Sequence, residues 1–178
     1  MENNEDHLSH RQTKEGDSMK TVQFLDLGNM SYVPAFELQT NINRYLQCHE
    51  EEPGTLLMVE HSPVFTLGRN RKTDDFLFPV ETVTSKGFEV VESNRGGNIT
   101  YHGPGQVVGY LLINLAHFRK DVKWYVWTLE EWIIQTLAHF DITATRKSDY
   151  RGVWVADEKI CALGVALKHW RTMHGFAL

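Results

Sequence analysis

The strongest constraint in the sequence is Arg95-Gly96-Gly97-Asn98-Ile99-Thr100-Tyr101-His102-Gly103-Pro104-Gly105-Gln106, where glycines alternate with polar side chains between two apolar runs. Gly96, Gly97, Gly103 and Gly105 reach backbone angles closed to other residues and let a ligand approach the main chain, while Thr100, Tyr101 and His102 supply hydroxyl and imidazole groups. Residues 87–92 before this stretch and 106–115 after it read as strands, so it is expected to join two strands and to form part of a site. A Walker loop needs Gly-Lys-Ser/Thr opening a helix, and Gly103-Pro104-Gly105-Gln106 has no lysine. A dinucleotide fingerprint fails too, because Gly109 comes one position late and a strand follows where a phosphate-binding helix N-terminus belongs.

The flanking chain supplies alternating elements. Residues 21–27 read as a strand ending at Gly28-Asn29. Pro34 suits a first helical turn, and Phe36, Leu38, Ile42, Tyr45 and Leu46 recur near helical spacing up to the punctuation at residues 50–54. Residues 55–60 form a short apolar run like a buried strand, with residues 64–69 as its expected neighbour across Glu60-His61-Ser62-Pro63. Arg69, Arg71 and Lys72 make a small basic patch, which reads as a solvated loop or a contact for an acidic partner. Residues 123–140 read as an amphipathic helix whose aromatics belong to the core, followed by a candidate strand at 142–145. Residues 152–167 read as two strands hinged at Asp157-Glu158, and residues 168–178 stop without a polar tail. Strands joined by two helices without regular βαβ alternation predict an α+β fold with a mixed β-sheet and flanking helices.

A chain of 178 residues fits one domain without a disulfide or metal staple. Residues 1–19 are polar and carry several acids, which suits neither a secretory signal nor an acid-poor transit peptide; they are expected to be a disordered tail preceding a domain at 20–178. A formal charge of -5 without a long basic stripe argues against a general nucleic-acid binder. No apolar run reaches the ~18 residues of a membrane span. The two cysteines, Cys48 and Cys161, lack CxxC spacing and favour a reduced compartment, with the cytoplasm as the expected location. The nine histidines show no ligand spacing, and His169 and His174, five apart, are poor zinc evidence. No Gly-x-Ser-x-Gly elbow nominates a serine nucleophile. Lys159 reads either as an exposed strand end or as a cation aimed into a pocket. On one strand Lys159 and Cys161 share a face, where an ammonium lowers a thiol's pKa, yet a small buried core residue is the expected role of Cys161.

Several separated stretches together carry a family resemblance. The glycine-rich stretch, Glu60-His61-Ser62-Pro63-Val64-Phe65-Thr66-Leu67-Gly68-Arg69, Gly152-Val153-Trp154-Val155, Lys159-Ile160-Cys161-Ala162-Leu163-Gly164 and His174-Gly175-Phe176-Ala177-Leu178 closely resemble the lipoyl(octanoyl) transferase family, often called LipB. The resemblance implies an acyltransferase of lipoate biosynthesis with the α+β fold of lipoate and biotin protein ligase catalytic domains. Its donor would be octanoyl-acyl carrier protein. Its acceptors would be lysines of lipoyl-domain proteins, namely 2-oxoacid dehydrogenase E2 subunits and the glycine cleavage H protein. Neither a metal nor a nucleotide cofactor is implied, nor a nucleic-acid or membrane partner. By resemblance, Arg95, Gly96, Gly97, Asn98, Ile99, Thr100, Tyr101 and His102 line the acyl pocket with Ala162, Leu163, Gly164, Gly175, Phe176 and Ala177. Lys159 matches the lysine that lowers the pKa of a nucleophilic cysteine. That cysteine lies in a Pro-Cys-Gly motif downstream of His-Gly-Phe-Ala-Leu, and the present sequence stops at Leu178. The expectation is therefore a domain truncated at its C-terminus and inactive alone, with no nucleophile of its own, since Cys161 stands where the family has a small residue. Two alternatives stay open: a ligase of the same superfamily, disfavoured by the Thr-Tyr-His-Gly-Pro-Gly run, and a non-catalytic acyl- or partner-binding module.

Overall fold

A computed structural model describes residues 21–72 and 76–178; the tail expected at residues 1–19 lies outside the described residues. In chain order the first elements are β1 (Gln23–Asn29), α1 (Tyr32–Cys48), β2 (Gly54–Glu60), β3 (Val64–Leu67) and α2 (Val80–Ser85). There follow β4 (Glu89–Glu92), β5 (Ile99–His102), β6 (Val108–Ile113), α3 (Val122–Ala138), β7 (Val153–Val155), β8 (Glu158–Lys168) and β9 (Arg171–Ala177). Six strands make a mixed sheet in the order β1-β2-β6-β9-β8-β7, with β1 and β2 parallel and the other pairs antiparallel. The class is α+β, as expected.

The central strands are apolar on both faces because each face carries a helix. Leu57, Val59, Val108, Tyr110 and Leu112 meet Ala35 and Leu46 of α1. On the opposite face, Ile133 and Leu137 of α3 meet Val153, Cys161 and Phe176, while Tyr125 and Leu129 meet Ile113 and Leu115. Strand residues two apart thus reach the same helix, the period that a half-buried strand imposes. The Asp121 carboxylate starts α3 by accepting a hydrogen bond from Trp124 N at 3.0 Å, the usual remedy for an unpaired first-turn amide. Among the described residues no helix is long and apolar enough to cross a membrane.

Four readings of local structure need correction. β3 does not neighbour β2; it pairs with β4 and β5 in a separate three-stranded sheet. The glycine-rich stretch does not merely join two strands, since it contains β5. Residues 142–145 form no strand, only an isolated bridge between Thr145 and Trp154. The last segment is a full central strand, β9, in which Arg171, Thr172 and His174 are buried. Polar residues occupy this interior strand because they are bonded there: the Thr172 hydroxyl donates to Leu111 O at 2.6 Å and accepts from Ile113 N at 2.9 Å. The short α2, none of whose residues is buried, had no apolar period to announce it.

Leu57 and Leu112 are both 0% exposed on adjacent strands. Replacing either by Ala is expected to lower unfolding free energy by about 2–5 kcal/mol, whereas Phe24→Ala on the exposed edge strand should cost under about 1 kcal/mol, as read by urea denaturation.

Candidate active site

The glycine-rich stretch is a clamped strap. On one side Gly68 N donates to Asn98 O at 2.6 Å, Arg69 N to Arg95 O at 3.0 Å and Asn70 N to Gly97 O at 3.1 Å. On the other, Gly96 N donates to Val165 O of β8 at 3.0 Å, so the strap ties the small sheet to the large one. Gly68 is required here by proximity: a Cβ on it would collide with Gly97 O and lie 2.8 Å from Asn98 O.

Arg95 holds the strap from within. Its side chain is buried, and its guanidinium donates to Thr66 O at 2.6 Å, Thr66 Oγ1 at 2.9 Å, Gly96 O at 2.9 Å and Asn98 O at 3.2 Å. A buried cation without adequate partners is strongly unfavourable, and here carbonyl and hydroxyl oxygens supply them. Burial still pulls its pKa below the ordinary arginine value.

Beneath the strap lies a cleft of about 340 Å³. One wall is made by Ala162, Leu163 and Gly164 of β8 with Gly175, Phe176 and Ala177 of β9; Arg95, Thr100 and His102 come from the strap, and Tyr32, Val108, Tyr110 and His174 complete it. Three imidazoles and two phenols cluster at its polar end. Tyr32 donates to Ser93 Oγ at 2.9 Å and stacks on His102 with ring centroids 6.1 Å apart. His61 Nδ1 donates to Met30 O at 2.6 Å, which leaves Nε2 to accept from the Tyr110 hydroxyl at 2.6 Å. His102 Nδ1 donates to Gln106 Oε1 at 2.7 Å, and His174 Nε2 donates to Asn94 Oδ1 at 2.5 Å. Desolvation lowers the pKa of His102 to about 4 and that of His174 to about 3, and it lowers that of His61 as well. At neutral pH these imidazoles are uncharged, which suits a cleft with apolar walls. His174 also has a left-handed backbone, with φ 61.

The structure brings together Arg95, Thr100, His102, Ala162, Leu163, Gly164, Gly175, Phe176 and Ala177 from the residues nominated by sequence. Gly96, Gly97, Asn98, Ile99 and Tyr101 are not on the cleft wall: the first three shape the strap through their backbones. Tyr101 points instead into a ring cluster with Phe65, centroids 5.1 Å apart, on the small sheet. Tyr32, Val108, Tyr110 and His174 were missed as wall residues, although His174 opens the His-Gly-Phe-Ala-Leu stretch of the resemblance, a signal that could have found it. Lys159 is exposed, with Nζ 5.0 Å from the centre of the Trp154 ring and its stem against Gly152; it is not on the cleft wall. Cys161 is 0% exposed and burial pushes its thiol up to about 12, far outweighing the opposing effect of Lys159. The activated pairing of these two is therefore not realised, and Cys161 belongs to the α3-side core.

The fold is that of lipoate-protein ligase catalytic domains. The crystal structure of lipoate-protein ligase A bound with ATP superposes with a TM-score of 0.75 at 14% identity, covering 88% of this chain and 66% of that one. A bi-partite lipoate protein ligase from Thermoplasma acidophilum, solved in a study with its E2 lipoyl domain, gives 0.65 at 14% identity over 90% and 62%. Sequence similarity is more specific: residues 31–178 match the lipoyl protein ligase A/B catalytic domain. An octanoyltransferase of Caldanaerobacter subterraneus is 44% identical over 161 residues, 90% of this chain and 70% of that protein. One from Flavobacterium psychrophilum is 41% identical over 174 residues, 89% and 75% of the respective chains. The chain belongs to the lipoyl(octanoyl) transferase branch of this family and is an acyltransferase.

Two measurements test this description of the site. Free histidine titrates at 6.5, whereas His102 and His174 are held near 4 and 3 in the fold, so between these values only the unfolded chain binds the protons. Their contribution is fully present above about pH 6.5 and is lost as pH falls, by up to about 1.4 kcal/mol per pH unit for each imidazole. Denaturant titrations at pH 7.5, 6 and 5 are expected to show that decline, and His102→Gln should make it shallower. Second, brief alkylation of the native protein is expected to label exposed Cys48 and spare Cys161, with both labelled after unfolding.

Proposed function

We propose that this domain transfers an octanoyl group from acyl carrier protein to a lysine of a lipoyl-domain protein through a cysteine thioester. The reading rests on one observation above all: three stretches distant in sequence, around Arg95, Ala162 and Gly175, wall a single cleft whose imidazoles are neutral. In the first step a cysteine thiolate attacks the thioester carbonyl, and the carrier's thiolate leaves and takes up a proton. In the second, the acceptor's neutral amine attacks the enzyme thioester, releases the cysteine thiolate and loses a proton. The acyl chain lies along Ala162, Leu163, Val108 and Phe176, while the Thr100 hydroxyl brings a donor to the same wall.

Neither cysteine present suits the nucleophile. Cys161 is sealed in the core with a raised pKa, and Cys48 sits exposed at the end of α1, off the cleft wall. The nucleophile is assigned instead to a Pro-Cys-Gly segment beyond Leu178. The Lys159 ammonium would stabilise its thiolate by charge. Support comes from the resemblance and from the exposure of Lys159, whose ammonium, beside the Trp154 ring, is accessible to an added segment.

Incubation with octanoyl-acyl carrier protein and an unmodified lipoyl domain, read by intact mass, tests this. Residues 1–178 alone are expected to give no octanoylated domain. A protein extended through an encoded Pro-Cys-Gly should transfer, and Lys159→Ala should lower its kcat by about 10²–10⁴-fold. Efficient transfer by residues 1–178, or an undiminished rate in the lysine variant, would sink the proposal. ATP-dependent formation of a lipoyl adenylate would favour the ligase reading.

A further inference from the structure

A second cleft, of about 640 Å³, opens between the C-terminal half of α1 and the hairpin end of β8 and β9. Four cations line it, Arg44, Arg69, Lys168 and Arg171, and among the described residues no acidic residue does. In a chain of formal charge -5 this is a local reversal of sign. Exposed cations repel one another weakly through water, but Arg171 is only 6% exposed and its Nη1 is buried without a hydrogen-bond partner among the described residues. Glu50 Oε1, 3.8 Å from Arg171 Nη2, belongs to a side chain 82% exposed and is too distant for a hydrogen bond. Among the described residues none of the four cations has a carboxylate within hydrogen-bond distance, so an anion entering the cleft would meet charge that nothing there neutralises.

We propose that this cleft binds a phosphate ester. Arg171, Arg44 and Arg69 present planar donor forks suited to phosphate oxygens, with Lys168 adding charge. Ala166, Leu167 and Met173 provide the apolar wall for the ester's organic part. The site is separate from the acyl cleft: Lys168 lies four residues beyond Gly164 on β8, roughly 13 Å at the strand rise. The two clefts communicate through Asn94, which lines the second and accepts the hydrogen bond from His174 of the first. The proposal stands on this second cleft and is independent of the acyl-transfer reading.

Calorimetric titration of residues 1–178 with inorganic phosphate, AMP, 4′-phosphopantetheine and pantetheine tests it without any turnover. The phosphate esters are expected to bind saturably at low salt and more tightly than inorganic phosphate, with pantetheine not binding. Arg171→Gln should weaken the better ester at least about tenfold. Because Arg171 is buried, Arg44→Gln at an exposed position provides the check on folding: its melting temperature should be unchanged while affinity falls about threefold. Tighter binding of AMP assigns a nucleotide, and tighter binding of phosphopantetheine assigns the arm of a carrier; either supports the site. No saturable binding of any phosphate, equal affinity for inorganic phosphate and both esters, pantetheine matching its phosphate, or no effect of Arg44→Gln overturns the proposal.

Discussion

The guanidinium of Arg95 is the interaction on which the catalytic region depends. It is a buried charge whose hydrogen bonds go to the carbonyls of Thr66, Gly96 and Asn98 and to the Thr66 hydroxyl. Backbone oxygens can satisfy a cation only if the chain is bent to aim them at it, so the charge dictates the path of the strap. Lysine would bring a single ammonium in place of a planar fork and could not reach those oxygens in the same arrangement. The bonds to Gly68, Arg69 and Asn70 then extend this local order into the small sheet, and Gly96 carries it to β8. Glycine is needed in the strap less for mobility than because two backbones must touch.

From that seam follows the chemistry. The cleft sits where the small sheet, the large sheet and α1 converge, so residues from each contribute to its wall. Such a place is shielded from water, and shielding strips the histidines of their protons. The apolar part of the cleft wall thus adjoins uncharged imidazoles and phenols, while the cation of Arg95 is occupied by carbonyls. The same shielding raises the pKa of Cys161, a thiol packed in the core on the α3 side.

Much of this was legible in the sequence. Short apolar runs announced β2 and β6, helical spacing announced α1 and α3, and the glycine-rich stretch announced a site. What stayed hidden was tertiary in origin. β9 reads as polar because its hydroxyl and imidazole groups are satisfied by partners far along the chain: Thr172 by Leu111 and His174 by Asn94. β3 was placed beside β2 because a short link usually joins paired strands, whereas the parallel partner of β3 comes more than twenty residues later. Tyr32 and Tyr110 carry no local signature, since a single aromatic on an amphipathic element looks like any core residue until its hydroxyl is seen to face a cleft. The resemblance gave the residues of the strap, but their division into wall and scaffold depends on contacts with Gly68, Arg69, Asn70 and Val165 that are remote in sequence.

The left-handed backbone of His174 has one more consequence. A residue with a Cβ usually avoids that conformation; histidine, asparagine and aspartate are among those found there most often, and glycine adopts it freely. Strand β9 nevertheless pairs with β8 through this point without a register shift, and His174, Gly175, Phe176 and Ala177 are buried in succession because both faces of this interior strand are covered. The position therefore admits a narrow alphabet: a branched aliphatic residue would fit the chemistry of an apolar cleft yet be refused by the main chain. Here the backbone, before any substrate arrives, decides which side chains evolution can try.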